Sequence, residues 1–176
     1  MKNIVMTAAL LGSLSVQASE YDFDNKYFTA SVTNATYDIS GFDKPTGLSF
    51  AMGIPFKNRS EKTSSAIEFG YANLGESEGS FEGIGMTLSA TSLFFVSRIN
   101  YEIAPKAEVY GKLGFNTLTA KAEATNFNAS SEESEMKLMY SFGGQYKISP
   151  KVNLGADYTA YASDTTAIAL NLSFKL

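Results

Sequence analysis

The side chains that most often carry out catalysis are missing from this chain. It has no Cys and no His, so it lacks a thiolate nucleophile and the usual base that activates a serine. Carboxylates are plentiful, but they do not follow the spacing of an EF-hand calcium loop. We therefore expect a protein that is not an enzyme and that has no catalytic residues, no cofactor and no metal site.

Five charged residues stand out because each lies on the polar side of a segment in which apolar and polar residues alternate. They are Glu68, Arg98, Glu108, Lys112 and Asp157. Buried charges are costly unless they are paired. If the polar sides line the interior of a barrel, we expect these residues to form an ion-pair network. By position, Glu68, Arg98 and Glu108 should lie at similar depth, and Lys112 and Asp157 about one layer higher.

The alternation predicts the elements that hold these charges. A period of two is typical of a β-strand with one apolar and one polar face, and it is clearest at the end of the chain. There, every second position is apolar: Ile168, Leu170, Leu172, Phe174 and Leu176. Similar segments occur around residues 28–33, 47–56, 67–72, 87–101, 108–115, 136–148 and 152–158. Eight strands suit antiparallel closure, which removes the open edge of a terminal strand. We therefore expect an all-β fold, an eight-stranded antiparallel up-and-down β-barrel that spans a membrane.

The first residues predict export. Residues 1–18 contain Lys2, an apolar run over residues 4–14, and Val16-Gln17-Ala18 at the end. This layout is typical of a secretory signal peptide cleaved after Ala18, and the apolar run is too short to span a bilayer as a helix. The barrel would then occupy residues 19–176. The net charge of −4 without a basic stripe argues against a nucleic-acid partner.

The segments between the strands differ in length. Residues 102–106 and 148–151 are tight Pro-Lys turns, and residues 57–65 form a somewhat longer basic turn. Three other segments, residues 38–45, 73–85 and 122–135, are long and rich in Gly, Ser, Asn and acidic residues. Outer-membrane barrels have short periplasmic turns and long outer loops, so this segregation favours lipid around the apolar faces.

Acidic residues concentrate in two of the long segments, which we interpret as surface loops. They are Glu76, Glu78, Glu82, Glu123, Glu132, Glu133 and Glu135. Such composition favours solvated, flexible segments. Two other interpretations remain open: divalent cations could bridge these carboxylates to anionic lipopolysaccharide, since carboxylates are suitable hard ligands, or the loops could form a receptor-binding surface.

Several stretches, taken in order, resemble a known family. They are Glu68-Phe-Gly-Tyr-Ala-Asn-Leu-Gly75, Tyr110-Gly-Lys-Leu-Gly114, Gly143-Gly-Gln-Tyr-Lys-Ile-Ser-Pro150 with Asp157-Tyr158, and Leu172-Ser-Phe-Lys-Leu176. The chain resembles the small eight-stranded outer-membrane barrels related to outer-membrane protein A and outer-membrane protein X. The resemblance implies a monomer in the outer membrane of a Gram-negative bacterium, in contact with lipid and lipopolysaccharide. It also implies assembly by periplasmic chaperones and the barrel-assembly machinery.

The resemblance assigns roles to a few residues. In the family the last residue is usually Phe and is read by the insertion machinery, whereas this chain has Leu176 there and Phe174 two positions earlier. Leu172, Phe174 and Leu176 are therefore the expected assembly signal. In the family a lumenal acid and base are thought to gate an ion path, and these match Glu68 and Arg98. The positions of the alternative partners match Gln145 and Gly155, which carry no charge.

Three functions remain open at this point. The first is a structural or surface-interaction barrel with a side-chain-filled lumen, which supports envelope integrity or adhesion. The second is a narrow, low-conductance ion channel of the porin type. The third is a soluble ligand-binding barrel of the lipocalin type, which requires Phe69, Leu113, Leu154 and Leu172 to point toward the barrel axis.

Overall fold

The computed structural model describes residues 20–39, 41–57, 60–81, 84–124 and 130–176. The predicted signal peptide, residues 1–18, lies outside the described residues. A short 3-10 turn, Phe23–Asn25, precedes the strands. The strands are β1 (Tyr27–Tyr37), β2 (Thr46–Pro55), β3 (Thr63–Phe81), β4 (Ile84–Ala104), β5 (Ala107–Ala124), β6 (Ser130–Lys147), β7 (Val152–Ala160) and β8 (Thr165–Lys175). None of the described helical residues forms a helix long and apolar enough to cross a membrane.

The described strands form one closed antiparallel barrel in which each strand pairs with the next along the chain. Closure joins β1 to β8 over the full length of both strands, from Tyr27 opposite Lys175 to Tyr37 opposite Thr165. The predicted fold is therefore confirmed. We call the end with the β2–β3, β4–β5 and β6–β7 connections the inner end, and the opposite end the outer end.

The apolar faces of the strands point away from the barrel axis. Phe69, Leu113, Leu154 and Leu172 are all on the outer surface and between 36 and 50 % exposed. On β1 the intervening Thr29, Ser31 and Thr33 are buried inside. Because a lipocalin-type barrel needs the reverse orientation, this alternative is wrong.

The run from Leu93 to Val96 on β4 interrupts the sequence alternation because both faces are apolar there. Leu93 and Phe95 are exposed on the outside, whereas Phe94 and Val96 are buried inside the barrel. The strand keeps its period of two, but the lumen at this height is apolar.

The prediction of long loops at residues 73–85 and 122–135 is wrong. Most of these residues belong to extensions of strands β3 to β6. Strands β3 to β6 have 18 to 21 residues each, whereas β1, β2, β7 and β8 have 9 to 11. On β3 and β6 polar residues occupy both faces of the extension, so the pattern that marks a half-buried strand is absent there. The backbone ladder nevertheless continues, and the hydroxyls of Thr119 and Ser134 lie 2.7 Å apart across it. Residues 38–45 between β1 and β2 do form a connection, as predicted.

A β-bulge lies at the point where β3 extends beyond the end of its pairing with β2. The pairing with β4 shifts by one residue between Asn73 and Glu76. Gly75 has a φ of +87° and donates its N–H to Asn73 Oδ1 at 2.9 Å. Glycine is favoured here because it adopts a positive φ without a steric penalty. As a result, Leu74 and Ser77 are both buried although they are three residues apart.

The segment before β1 lies along the inner end of β2. The Asp22 N–H donates to the Pro55 carbonyl at 2.8 Å, and the Lys57 N–H donates to the Glu20 carbonyl at 2.8 Å. The Lys57 ammonium also lies 2.7 Å from the Glu20 carboxylate. Its hydrogen bond to that carboxylate raises the pKa of Lys57 above its ordinary value.

Candidate functional site

Four of the five predicted lumenal charges contact one another at the centre of the barrel. Glu68 on β3 accepts a hydrogen bond from Arg98 Nη1 at 2.8 Å and lies 2.9 Å from the ammonium of Lys112. Lys112 is also 3.7 Å from Asp157 on β7. These side chains are at most 11 % exposed. Two carboxylates and two cations therefore form a buried network without net charge.

The predicted depth of Lys112 needs correction. Its register partner on β4 is Arg98, and its ammonium contacts both Glu68 and Asp157. Because the long lysine side chain bridges the two carboxylates, Lys112 does not form a separate layer above Glu68.

Neutral side chains connect and orient the charges. Tyr27 donates its hydroxyl to Glu68 at 2.6 Å, and Tyr110 donates to Asp157 at 2.9 Å. The Arg98 guanidinium stacks 3.9 Å above the Tyr110 ring, an arrangement that stabilises a cation. Asn171 on β8 donates to Asp157 and to the Tyr110 hydroxyl, both at 3.0 Å.

Glu108, the fifth predicted residue, is linked to the network through an amide. Gln145 donates to Glu108 at 2.6 Å and accepts from Arg98 Nη2 at 2.8 Å. Glu108 pairs with the ammonium of Lys147 at 2.6 Å, and Lys147 also contacts Glu102 at 3.3 Å. Glu108 therefore belongs to a second ion pair nearer the inner end, with Gln145 between the two groups.

Charge patterns in the sequence point to the acids and bases but miss the neutral connectors. Tyr27, Tyr110 and Asn171 have no special spacing in the sequence. All three occupy polar-side positions in their strands, Tyr27 in line with Thr29, Ser31 and Thr33. This position marks them as lumenal, where a hydrogen-bonding residue must find a buried partner, but it does not specify which partner.

A polar cavity of about 120 Å³ opens at the inner end and reaches the network. Its walls include Asn25, Ser64, Asn100, Lys147 and Lys175. Arg98 lies where the cavity meets the ionic network. Arg98 Nε donates to Asn100 at 2.7 Å. The cavity thus gives solvent a path from the inner end of the barrel to one side of the ionic network.

An apolar cluster fills the lumen on the other side of the network, toward the outer end. Leu74 and Val96 are fully buried, and Phe94, Leu118 and Met139 are at most 7 % exposed. Small residues pack with them: Ala35, Ala51, Ala72, Ala90, Ala162 and Ala167. The alternation in the sequence predicts polar side chains toward the lumen and does not predict this apolar layer, because the inward-facing apolar residues on β3 to β6 have apolar or loop-like neighbours in the sequence.

The acidic residues assigned to surface loops lie on strands, so the loop assignment is wrong for them. Glu76 and Glu78 are on β3, Glu123 is on β5, and Glu132, Glu133 and Glu135 are on β6. All six are exposed. Glu82 lies outside the described residues. We call the described part of this extension, residues 76–81, 84–89, 119–124 and 130–135, the outer sheet.

The two edges of the outer sheet differ. The β1–β2 connection covers the β3 edge: Ser77 donates its hydroxyl to the Asp43 carbonyl at 2.6 Å, and Phe42 forms a bridge with Gly79. On the other side, the pairing of β6 with β7 begins only at Tyr140, opposite Ala160. Within the described residues, the side of β6 that faces β7 therefore has no neighbouring strand over residues 130–139, and three of its carboxylates lie along this edge.

Two lysines accompany the carboxylates at this end. Lys121 lies 2.5 Å from Glu123, and Lys137 pairs with Glu135. Over the outer sheet and Lys137, the described residues carry six carboxylates and two ammonium groups. The exposed outer end is therefore acidic.

The predicted assembly signal lies on the closing strand. Leu172 and Phe174 face outward, with Phe174 opposite Phe28 on β1 and Val152 on β7. The Leu176 N–H donates to the Lys26 carbonyl at 3.0 Å. These contacts place the three residues at the seam of the barrel, near the inner end.

A closed barrel with apolar side chains outside and ion pairs inside defines the class of integral membrane β-barrels. The family model for the outer membrane protein beta-barrel domain matches residues 6–175. The chain belongs to this family, and the protein resides in the outer membrane, in contact with its lipid.

Solved structures show the same architecture. The chain is similar to Ail, the attachment invasion locus protein of Yersinia pestis, with 18% identity, a TM-score of 0.55, and coverage of 86% of this chain and 95% of that chain. It is also similar to neisserial surface protein A, with 12% identity, a TM-score of 0.53, and coverage of 86% and 97%. No curated protein matches the chain.

Proposed function

We propose that this protein is a sealed outer-membrane barrel that presents its outer sheet for interactions at the cell surface. The observation that carries the proposal is the extension of β3 to β6 beyond the ends of the shorter strands. Neither face of this extension is needed to close the barrel, yet backbone pairing continues through it. The outer sheet is therefore an ordered surface outside the closed part of the barrel. Such a surface suits a role in adhesion or envelope integrity.

The exposed β6 edge is the part of the outer sheet that suits a partner best. An edge strand has unpaired backbone N–H and C=O groups that can pair with another strand. Glu132, Glu133 and Glu135 would favour a partner segment that carries positive charges. Lipopolysaccharide bridged to the same carboxylates by divalent cations is a second candidate partner.

The name of Ail as an attachment protein suggests the assay. Bacteria that express this protein should adhere to epithelial cell monolayers more than cells with an empty vector. Reversing the charges with Glu132→Lys, Glu133→Lys and Glu135→Lys should remove most of this gain. Reversal at Glu76 and Glu78, beside the covered edge, is the control and should leave most of the gain intact. Adhesion no higher than with the empty vector would refute an adhesive role.

We also propose that the lumen does not conduct ions. A permeating ion would have to separate the Glu68 and Arg98 pair and then cross the apolar layer around Phe94. Transfer of an unpaired ion into apolar surroundings is strongly unfavourable. Planar-bilayer recording of refolded protein should show no current steps. Reproducible steps in the wild type would favour the narrow-channel function, for which the cavity that reaches Arg98 would be the entrance.

The protein acts as a monomer. It has no enzymatic activity, since the sequence contains neither the Cys nor the His that most often carries out catalysis. The barrel-assembly machinery and periplasmic chaperones insert it, and Leu172, Phe174 and Leu176 form the signal. Phe174→Ala should therefore slow assembly with the purified machinery more than it slows spontaneous refolding in detergent. An equal effect in both systems would argue for a packing role only.

A further inference from the structure

Two parallel rows of outward-facing side chains cross strands β1 to β6. The strand register places the members of each row opposite one another on neighbouring strands. The upper row is Ala30, Phe50, Tyr71, Leu93, Thr117 and Met136. The lower row is Phe28, Met52, Phe69, Phe95, Phe115 and Leu138. Each row is almost entirely apolar or aromatic, and no acidic or basic residue occurs in either.

A groove of about 700 Å³ lies between the two rows. Its lining includes Phe50, Tyr71 and Leu93 of the upper row and Phe69 and Phe95 of the lower row. Residues two apart on a strand are separated by roughly 6.7 Å, and five steps between strands give a length of roughly 24 Å. The groove is therefore long and narrow, and its apolar lining suits an extended hydrocarbon chain.

The groove climbs across the lipid-facing surface because barrel strands are tilted. It starts at Phe28, the second residue of β1 and close to the inner end. It ends at Thr117 and Met136, beyond which the outward positions on β5 and β6 become polar. There the exposed hydroxyls of Thr119 and Ser134 lie 2.7 Å apart. These hydroxyls can meet the polar glycerol and ester groups at the start of an acyl chain.

The curvature of the groove decides between a lipid and a protein as its occupant. The two rows extend over six of the eight strands of a closed cylinder. A second rigid barrel would contact only a few adjacent strands of such a convex surface. A flexible chain can follow the whole groove. We propose that the groove binds one acyl chain of an outer-leaflet lipid more tightly and more selectively than the rest of the barrel surface does.

The absence of Trp from the chain allows a single-reporter test. Leu93→Trp places the reporter in the groove, and Leu170→Trp places it on β8 outside the groove. The native residues are matched in exposure, at 65 and 66 %. Each variant is reconstituted in mixtures of brominated phosphatidylethanolamine with 18-carbon chains and unbrominated phosphatidylethanolamine with 12-carbon chains. Tryptophan quenching then gives the relative affinity for the two lipids at each position.

We expect the long chain to be preferred at position 93 by at least about threefold relative to position 170, because a longer chain contacts more of both rows. Adding Phe69→Ala and Phe95→Ala should abolish this preference by removing the centre of the lower row. Adding Leu154→Ala and Ile168→Ala, which remove exposed apolar side chains outside the groove, should leave it intact. Heat-dependent mobility in SDS gels verifies that each variant is folded.

Three results would overturn the proposal. The first is an equal lipid preference at positions 93 and 170. The second is a preference that persists without the two phenylalanines. The third is protection of the reporter at position 93 that increases with the protein-to-lipid ratio, which would identify a second copy of the chain as the occupant. Should the double alanine variant fail to fold, the comparison of positions 93 and 170 still decides the matter.

Discussion

Replacing Arg98 with alanine should destabilise the barrel strongly, because Arg98 holds several buried groups at once. Its guanidinium donates to Glu68 at 2.8 Å, to Gln145 at 2.8 Å and to Asn100 at 2.7 Å. It also stacks 3.9 Å from the Tyr110 ring. Its loss leaves the Glu68 carboxylate, which is fully buried, with one cation fewer.

The size of the effect follows from what remains around Glu68. Removal of one partner of a buried ion pair typically costs about 3–5 kcal/mol. Lys112 stays 2.9 Å from the other carboxylate oxygen and Tyr27 still donates to Glu68, which favours the lower end of that range. Loss of the stacking on Tyr110 adds about 1 kcal/mol. We therefore expect the free energy of unfolding to fall by about 3–4 kcal/mol.

Urea unfolding in lipid vesicles, followed by circular dichroism of the strands, measures this change. With a slope of about 2 kcal/mol per molar urea, the midpoint should fall by about 1.5–2 M. Lys62→Ala is the control: Lys62 is exposed between β2 and β3, and its midpoint should match that of the wild type. Equal midpoints for the two variants would refute the claim that Arg98 is desolvated.

A double variant separates the loss of stability caused by an unpaired charge from the loss caused by poorer packing. Arg98→Ala combined with Glu68→Gln removes the carboxylate charge that Arg98 neutralises, while Lys112 keeps Asp157 at 3.7 Å. If unpaired charge causes the loss, the double variant should be more stable than Arg98→Ala by more than about 1 kcal/mol. A double variant that is less stable than Arg98→Ala would contradict this cause.

Three further perturbations probe other parts of the barrel. Leu170→Arg places a charge on the lipid face and should cost about 2–4 kcal/mol, visible as a lower folded fraction in vesicles; normal assembly would contradict the outward register. Gly114→Ala should lower stability by about 1–3 kcal/mol, because its Cβ would lie 2.2 Å from the Phe95 carbonyl oxygen. The control Gly144→Ala should have little effect, since the nearest atom to its Cβ is 3.6 Å away. Similar losses of stability in both variants would show that the clash is not the cause. Phe94→Ala should cost about 3–5 kcal/mol in urea unfolding through the cavity that it leaves; an unchanged midpoint would show that the apolar layer is loosely packed.

The fold could be predicted because lipid and lumen impose opposite demands on successive residues. On β8, Leu170 and Leu172 face lipid while Asn171 is buried inside, and the sequence shows this directly. The outer sheet could not be found in the same way on β3 and β6, since residues 76–81 and 130–135 are mostly polar and show no alternation with apolar residues. Its strands continue because their backbones pair, which composition alone does not reveal.

The candidate site was predictable only for its charged members. The positions of Glu68, Arg98 and Glu108 predict that they lie at similar depth, and the family resemblance matches Glu68 with Arg98. The bridging geometry of Lys112 depends on side-chain length and on the tilt of the strands, which no pattern in the sequence specifies. The roles of Tyr110 and Asn171 depend on contacts across the lumen between residues 61 positions apart.

The one-residue shift at Gly75 changes how insertions and deletions on β3 are tolerated. Before it, even-numbered residues such as Glu68 and Leu74 are buried, and after it the odd-numbered Ser77 is buried while Glu76 and Glu78 are exposed. If the bulge were lost while Gly75 remained, unbroken alternation would turn Glu76 and Glu78 toward the covered face. Deleting Gly75 instead removes the extra residue, and regular alternation then keeps Ser77 inside and both carboxylates outside. A one-residue deletion at this position therefore preserves which side chains of β3 face inward, whereas the same deletion elsewhere on the strand would reverse them on one side of the change.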